Sequence, residues 1–295
     1  MITYFQAIIM GLLQGISELF PVSSLGHSVL VPWLLNWHIL LADQSKSESF
    51  FLSFVVVLHV ATATALLIFY RATWWRIIKG FFGSLNSRRI DNPDARLAWL
   101  LIAATIPAGI IGLAFEHELR TQFAKPLSAI IFLFINGCIL LLGDYHIKQA
   151  SRRQSYKQVT TTENISAKLT LRRAVIIGIA QVGALFAGIS RSGITIVSGM
   201  YSGLDHEDAA RFSFLLATPI IFGAGLIKLP DFFSNLDAGV RSQILVGGLA
   251  AGVAAYLTVR FLDKYFRNKT LRPFAIYCLG ASLAMLLLGL VRGHF

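Results

Sequence analysis

Six stretches of this chain, near 50–70, 97–115, 127–143, 212–228, 244–259 and 273–291, are apolar over roughly the 20 residues that a helix needs to cross a bilayer core of about 30 Å. No other feature limits the fold as much. Lipid cannot satisfy the N–H and C=O groups of an open strand, so each stretch must be an α-helix. Composition agrees: 14% of residues are charged, against about 25% in a typical soluble domain. The sequence therefore predicts an all-α polytopic membrane protein. Residues 1–35 lack the basic start and small-residue cleavage site of a signal peptide, so they are expected to stay in the mature protein. Cys138 and Cys278 fall inside predicted spans and read as small buried hydrophobes.

A net charge of +11 suggests nucleic acid, but its distribution excludes that class. Loops 71–96, 144–173 and 260–272 carry six, seven and five Lys or Arg, whereas 36–49, 116–126 and 228–241 carry one, two and two. This asymmetry follows the positive-inside rule and puts the basic loops in the cytoplasm. Tryptophans 33, 37, 74, 75 and 99 lie near predicted span ends, where an interfacial belt is expected. Asp205-His206-Glu207-Asp208 precedes an apolar helix and reads as its cap.

Two further apolar segments, 5–34 and 174–200, are broken in the middle. The first reads Gln14-Gly15-Ile16-Ser17-Glu18-Leu19-Phe20-Pro21-Val22-Ser23-Ser24-Leu25-Gly26-His27, and the second centres on Gly188-Ile189-Ser190-Arg191-Ser192-Gly193. Each fits a re-entrant helix–break–helix, tolerated at membrane depth where it is buried in protein or lines a wet cavity. A shift of 167 residues places Gly11 on Gly178, Gln14 on Gln181, Ser23 on Ser190 and Gly26 on Gly193. Each broken segment precedes three spans, an odd number, so the halves should run in opposite senses. This is an inverted-topology repeat, with 1–143 the first half, 144–172 a cytoplasmic linker and 173–295 the second half.

An ionisable residue within a span costs about 2.5–3.5 kcal/mol on insertion scales, so each one needs a reason. Outside loops and caps the sequence has Glu18, His27, His59 and Arg191. Gln14 and Glu18 are spaced to share a helical face, with Ser24 and His27 just beyond Pro21. A carboxylate near a serine and a histidine can activate a hydroxyl or water, or hold a divalent metal. The Arg191 fork suits phosphate, and its flanking glycines let backbone N–H groups approach an anion. Glu18, Ser24, His27 and Arg191 are the candidate catalytic residues; Gln14, Ser23, Gly26, Ser190, Ser192 and Gly193 are the candidate substrate contacts. A purely structural Glu18–Arg191 pair is the plainer alternative, and His59 reads as a packed or hydrogen-bonded span residue.

Gln14-x-x-x-Glu18, Leu-Phe-Pro-Val-Ser-Ser-x-Gly-His27 and Gly188-Ile-Ser-Arg-Ser-Gly193 resemble the bacterial undecaprenyl-pyrophosphate phosphatases of the bacitracin-resistance type. Thr105-Ile-Pro-Ala-Gly-Ile-Ile-Gly112 and Arg272-Pro-Phe-Ala-Ile-Tyr277 extend the likeness along the chain. The resemblance implies an inner-membrane enzyme that removes the terminal phosphate of a C55 isoprenyl pyrophosphate and recycles the cell-wall lipid carrier; the charge pattern puts its opening on the outer face. The resemblance further implies that Glu18 with Gln14 serves a divalent cation, Mg or Ca, or acts as general base, that Ser24 is the nucleophile, and that Arg191 grips the pyrophosphate. The expected partners are that lipid and the surrounding membrane, with a homodimer left open. The chain departs from the family at Gln14, where some members have Glu, and at Ala187, where Pro is usual. The rival reading is an isoprenyl-phosphate transporter or flippase, since inverted repeats with broken helices also build carriers.

Overall fold

The computed structural model describes residues 2–37, 50–123, 125–150, 161–234 and 238–293. Its helices are α1 (Tyr4–Ser17), α2 (Ser24–Leu34), α3 (Phe50–Phe69), α4 (Arg71–Ser87), α5 (Pro93–Phe123), α6 (Pro126–Ala150) and α7 (Thr161–Lys168) in the first part. They continue as α8 (Leu171–Gln181), α9 (Arg191–Tyr201), α10 (His206–Ser234), α11 (Ala238–Tyr265) and α12 (Arg272–Val291). Among the described residues there is no strand. Five helices are long and apolar enough to cross a membrane: α5 as Pro93–Phe115, α6 as Pro126–Tyr145, α10 as His206–Ile227, α11 as Val240–Tyr265, and α12 as Arg272–Val291. The expected span at 50–70 is α3, which makes a sixth when taken with α4, bent 84° away from it.

That bend corrects the expectation of a polar loop over 71–96. Residues 71–87 form α4, in which Arg71, Arg76 and Lys79 alternate with exposed Trp75, Ile78, Phe82 and Leu85. A helix that shows water both charges and large apolar groups suits the membrane interface. Trp99 Nε1 donates to Ser84 Oγ at 3.1 Å and ties α4 to α5. Trp33, by contrast, is buried in α2 rather than part of a belt. The middle of the expected linker lies outside the described residues, as do 38–49 and 235–237; α7 occupies the linker's end.

Two carboxylates, Asp144 buried and Asp263 partly buried, tie helices together toward the basic end. Asp144 in α6 accepts from Arg272 Nε of α12 at 2.9 Å and contacts His206 Nε2 of α10 at 3.1 Å. Asp263 in α11 accepts from Arg211 Nη2 at 3.0 Å and from the Tyr70 hydroxyl at 3.2 Å. Asp205 caps α10, accepting from the N–H of Asp208 at 2.9 Å.

Each broken segment folds back on itself, α1 against α2 and α8 against α9, and packs on the second span of the other half: α1 on α11, α8 on α5. Glycine makes both crossings close. A Cβ at Gly11 would run into the carbonyl oxygen of Gly247, and one at Gly178 into that of Ala104. These are the two glycines that the 167-residue shift superposes. At the breaks the same correspondence holds: Ser23 caps α2 by accepting from the N–H of Gly26, and Ser190 caps α9 by accepting from that of Gly193, each at 3.1 Å.

Gly11→Val or Gly178→Val should lower the melting temperature of the protein in detergent, at the about 1–3 kcal/mol typical of overpacking. Unchanged melting for both would show that these crossings can separate without cost.

Candidate active site

Glu18 follows directly on α1 and points into the protein, only 6% exposed. Every oxygen it has is engaged. Oε1 accepts from Arg191 Nε at 3.2 Å and from Arg191 Nη2 at 3.1 Å. Oε2 accepts from Ser24 Oγ at 2.5 Å and Gln14 Nε2 at 3.2 Å, and lies 3.3 Å from His59 Nε2. The carboxylate thus joins the two breaks, with Ser24 opening α2 and Arg191 opening α9. The third Arg191 nitrogen, Nη1, donates to the carbonyl of Ser213 on α10 at 3.2 Å. Two charge-assisted hydrogen bonds from one guanidinium to one carboxylate oxygen hold both partners.

The breaks are held in register by side chains that satisfy backbone groups across the gap. Ser23 Oγ accepts from the N–H of Gly188 as well as that of Gly26, both at 3.1 Å. Ser23 has φ 69°, a conformation that a residue with a Cβ rarely adopts and that costs about 1–3 kcal/mol. Gly188 sits at φ 114°, where a Cβ would also collide with the carbonyl of Ala129. Asn136, on α6 and fully buried, donates Nδ2–H to the carbonyl of Pro21 and accepts from the N–H of Ser190, both at 2.9 Å. One amide therefore clamps both turns. Sequence reading missed it; the signal was an amide in the middle of an otherwise apolar span.

A cavity of about 540 Å³ opens from this cluster. Glu18, Ser23, Ser24, His59, Ser190 and Arg191 line it together, and the N-termini of α2 and α9 meet there. Two helix N-termini favour an anion. The rest of the wall is apolar. Thr105, Ala108, Gly109 and Gly112 line it at the spacing of one helical face of α5, so small side chains leave a slot. Across from them stand Phe51 and Val55 of α3 and Ile220, Gly223 and Ile227 of α10.

Of the expected residues, Glu18, Ser24 and Arg191 converge, joined by Gln14, Ser23 and Ser190. His27 does not join them. Its Nδ1 meets the Ser23 carbonyl at 2.7 Å, so it carries the proton, and its Nε2 accepts from the Tyr277 hydroxyl at 2.7 Å. The ring stacks on Tyr277, outside the cavity lining. Gly26, Ser192 and Gly193 are likewise in the packing between the turns, Ser192 donating to the Phe20 carbonyl at 3.3 Å.

The imidazole that reaches Glu18 is His59. Its Nδ1 meets the Val55 carbonyl at 2.8 Å and must donate, which leaves Nε2 facing Glu18 Oε2. Two lone pairs would repel, so a proton lies between them. Glu18 thereby holds three proton-bearing partners on one oxygen, Ser24, His59 and Gln14, and a fixed cation on the other.

The donor set does not fit a divalent cation held by the protein alone. Ca takes several oxygen ligands, and Mg one or two carboxylates together with substrate phosphates; here Glu18 is a single carboxylate whose oxygens already carry these contacts beside a guanidinium. Among the described residues, no three His, Cys, Asp or Glu side chains group as metal ligands.

Comparison with known proteins puts this arrangement in context. Residues 7–284 match the family model described as bacitracin resistance protein BacA. A protein of Mycolicibacterium paratuberculosis named undecaprenyl-diphosphatase is 51% identical, over 97% of this chain and 98% of its own length. One of Frankia alni named undecaprenyl-diphosphatase 2 is 48% identical over 94% and 95%, and one of Chromobacterium violaceum with the same name is 42% identical over 97% and 99%.

Asn136→Leu strands the Ser190 N–H and the Pro21 carbonyl in a dry interior. A loss of about 1–3 kcal/mol per stranded group is expected, read as a lower melting temperature in detergent. Wild-type melting would show that the two turns hold their register without the clamp.

Proposed function

The chain belongs to the bacitracin resistance protein BacA family, and we propose that it is a multi-pass membrane phosphatase that converts undecaprenyl diphosphate to undecaprenyl phosphate and inorganic phosphate. The observation that carries the reading is the Ser24 hydroxyl on one oxygen of Glu18 with Arg191 on the other, at the polar end of an apolar cavity. The apolar slot suits an isoprenyl chain, and the polar end suits the diphosphate.

Ser24 Oγ attacks the terminal phosphorus as its proton passes to Glu18 Oε2. The new Oγ–P bond forms as the bridging O–P bond breaks, and the lipid monophosphate leaves with the bonding electrons. Glu18 passes that proton to the departing monophosphate. Water then attacks the phosphoserine, giving its proton to Glu18, which returns it to Ser24 Oγ as the Oγ–P bond breaks and inorganic phosphate departs. The structural alternative from the sequence, a Glu18–Arg191 ion pair, is present and is compatible with this route. The pair occupies Oε1 and leaves Oε2 to the serine, shared with Gln14 and His59. Arg191 opposes the charge that gathers on the phosphoryl oxygens. His59 shares the proton on Oε2, and His27 acts at a distance by fixing the Ser23 backbone. A divalent cation, where bound, would neutralise charge on the diphosphate oxygens. Nothing in the site favours the carrier reading, which has no use for a serine bonded to a carboxylate.

The proposed location is the bacterial inner membrane, with the cavity on the outer side. Phe51, Leu113 and Ile227 line the cavity near the ends of their helices remote from the basic loops, which supports that orientation.

The test is release of inorganic phosphate from undecaprenyl diphosphate by purified protein in detergent, each variant checked by melting. Glu18→Gln should lower kcat about 10²- to 10⁴-fold, the worth of a positioned general base, and Ser24→Ala at least as far. Arg191→Ala should cost about 10²- to 10³-fold. His59→Phe should lower kcat by less than Glu18→Gln does. Near-normal turnover by well-folded Ser24→Ala would end the nucleophile assignment.

The slot carries its own prediction. Gly109 has open space where a Cβ would stand. Gly109→Leu should fill part of the cavity and raise KM for long isoprenyl diphosphates more than for short ones. Equal effects on both would place the chain elsewhere.

A further inference from the structure

Gln14 and Gln181 are superposed by the 167-residue shift, yet their surroundings differ. Gln14 has Glu18 one turn later and donates to it at 3.2 Å. One turn after Gln181 stands Leu185, which offers no polar group. Gln181 is 3% exposed, and neither its Nε2 nor its Oε1 has a hydrogen-bond partner. Among the described residues it is alone in having both side-chain polar atoms buried without one. Buried polar groups are nearly always satisfied, so such a pair marks a place where something else completes the bonding.

Gln181 lines the same cavity as Glu18, Ser24 and Arg191. Its height is set by the glycine crossing. Gly178 abuts Ala104 on α5, and Gln181 lies about one turn further along, at the level where Thr105 and Ala108 begin the slot. It therefore shares the wall with the reacting cluster at the level where the apolar slot begins. A diphosphate whose terminal phosphorus faces Ser24, and whose lipid chain runs into the slot, has its second phosphate at that junction.

We propose that Gln181 binds the second phosphate, the one that stays on the lipid, and so makes the site selective for an isoprenyl diphosphate headgroup. The carboxamide Nε2–H donates to a non-bridging phosphoryl oxygen. Oε1 accepts from a protonated phosphate oxygen or a water beside it. A neutral amide is suited to this position, because it holds the group without adding charge that would have to be overcome when the monophosphate leaves. The assignment rests on the phosphatase reading for which phosphate reacts, though the subsite itself is readable by binding alone.

The experiment uses the full chain in detergent, wild type beside Gln181→Met, which keeps length and removes both polar atoms, and Gln181→Glu, which keeps shape and adds negative charge. Calorimetry with an isoprenyl monophosphate and with inorganic phosphate reads the subsite, and phosphate release from an isoprenyl diphosphate reads turnover. Gln181→Met should weaken the isoprenyl monophosphate about tenfold, or ~1.4 kcal/mol, and raise KM for the diphosphate by a similar factor. Its kcat should change by less than about threefold, since a uniform binding contact moves KM alone. Gln181→Glu should weaken both further, and inorganic phosphate should bind all three proteins alike. Unchanged monophosphate affinity in a folded Met or Glu variant overturns the proposal, as does a loss of kcat at constant KM. Wild type that binds the monophosphate through Gln181 but releases no phosphate from the diphosphate overturns the phosphatase reading and leaves the subsite standing.

Discussion

A carboxylate in a bilayer has no water to turn to, and the Glu18 side chain meets that constraint with protein groups from both halves of the chain. Arg191 takes one oxygen; Ser24, Gln14 and His59 take the other. Removing one member of a buried ion pair leaves the other uncompensated, at about 3–5 kcal/mol. The pair therefore does more than align a site: it makes the meeting of two broken helices, 173 residues apart at Glu18 and Arg191, a condition of stable folding.

Around it the protein solves the problem that irregular backbone creates at membrane depth. A break exposes N–H and C=O groups that lipid cannot serve. Ser23 and Ser190 cap the second helix of each segment, Ser23 reaches across to Gly188, and Asn136 holds Pro21 with one end of its amide and Ser190 with the other. The small residues have the complementary role. Gly11, Gly178 and Gly188 let backbones approach until these short side chains can span the gap. Rigid turns then present Ser24 and Arg191 to one cavity without support from solvent.

The division of the cavity follows. Charge and hydroxyls gather where the two helix N-termini meet, and the slot beyond is lined by a face of small residues on α5. A lipid with an anionic head fits that polarity, which is why the geometry and the family membership lead to the same chemistry. His59 and Gln181 are the two polar groups in this wall whose importance depends wholly on what they face.

Much was legible from the sequence. Lipid exclusion of unpaired backbone is a local rule, so apolar length alone located the spans, and the cost of an intramembrane charge singled out Glu18 and Arg191. Repeated Ser and Gly spacing showed where the breaks would lie. Local rules failed where side chains choose neighbours across helices. His27 follows Ser24 by one turn yet turns to Tyr277, while His59, on another helix, takes the place beside Glu18. Residues 71–87 read as a basic loop because charge dominated the count, although the interface lets an amphipathic helix keep both its basic residues and its exposed tryptophan. Gln14 and Gln181 are the same residue at matching positions, and only the packed structure gives one a partner and leaves the other facing a cavity. The sequence by itself determined that the chain is a bundle of membrane helices with two polar breaks. Which polar groups meet was decided by tertiary structure, because a helix turns about 100° per residue and its facing is set by the crossings it packs into.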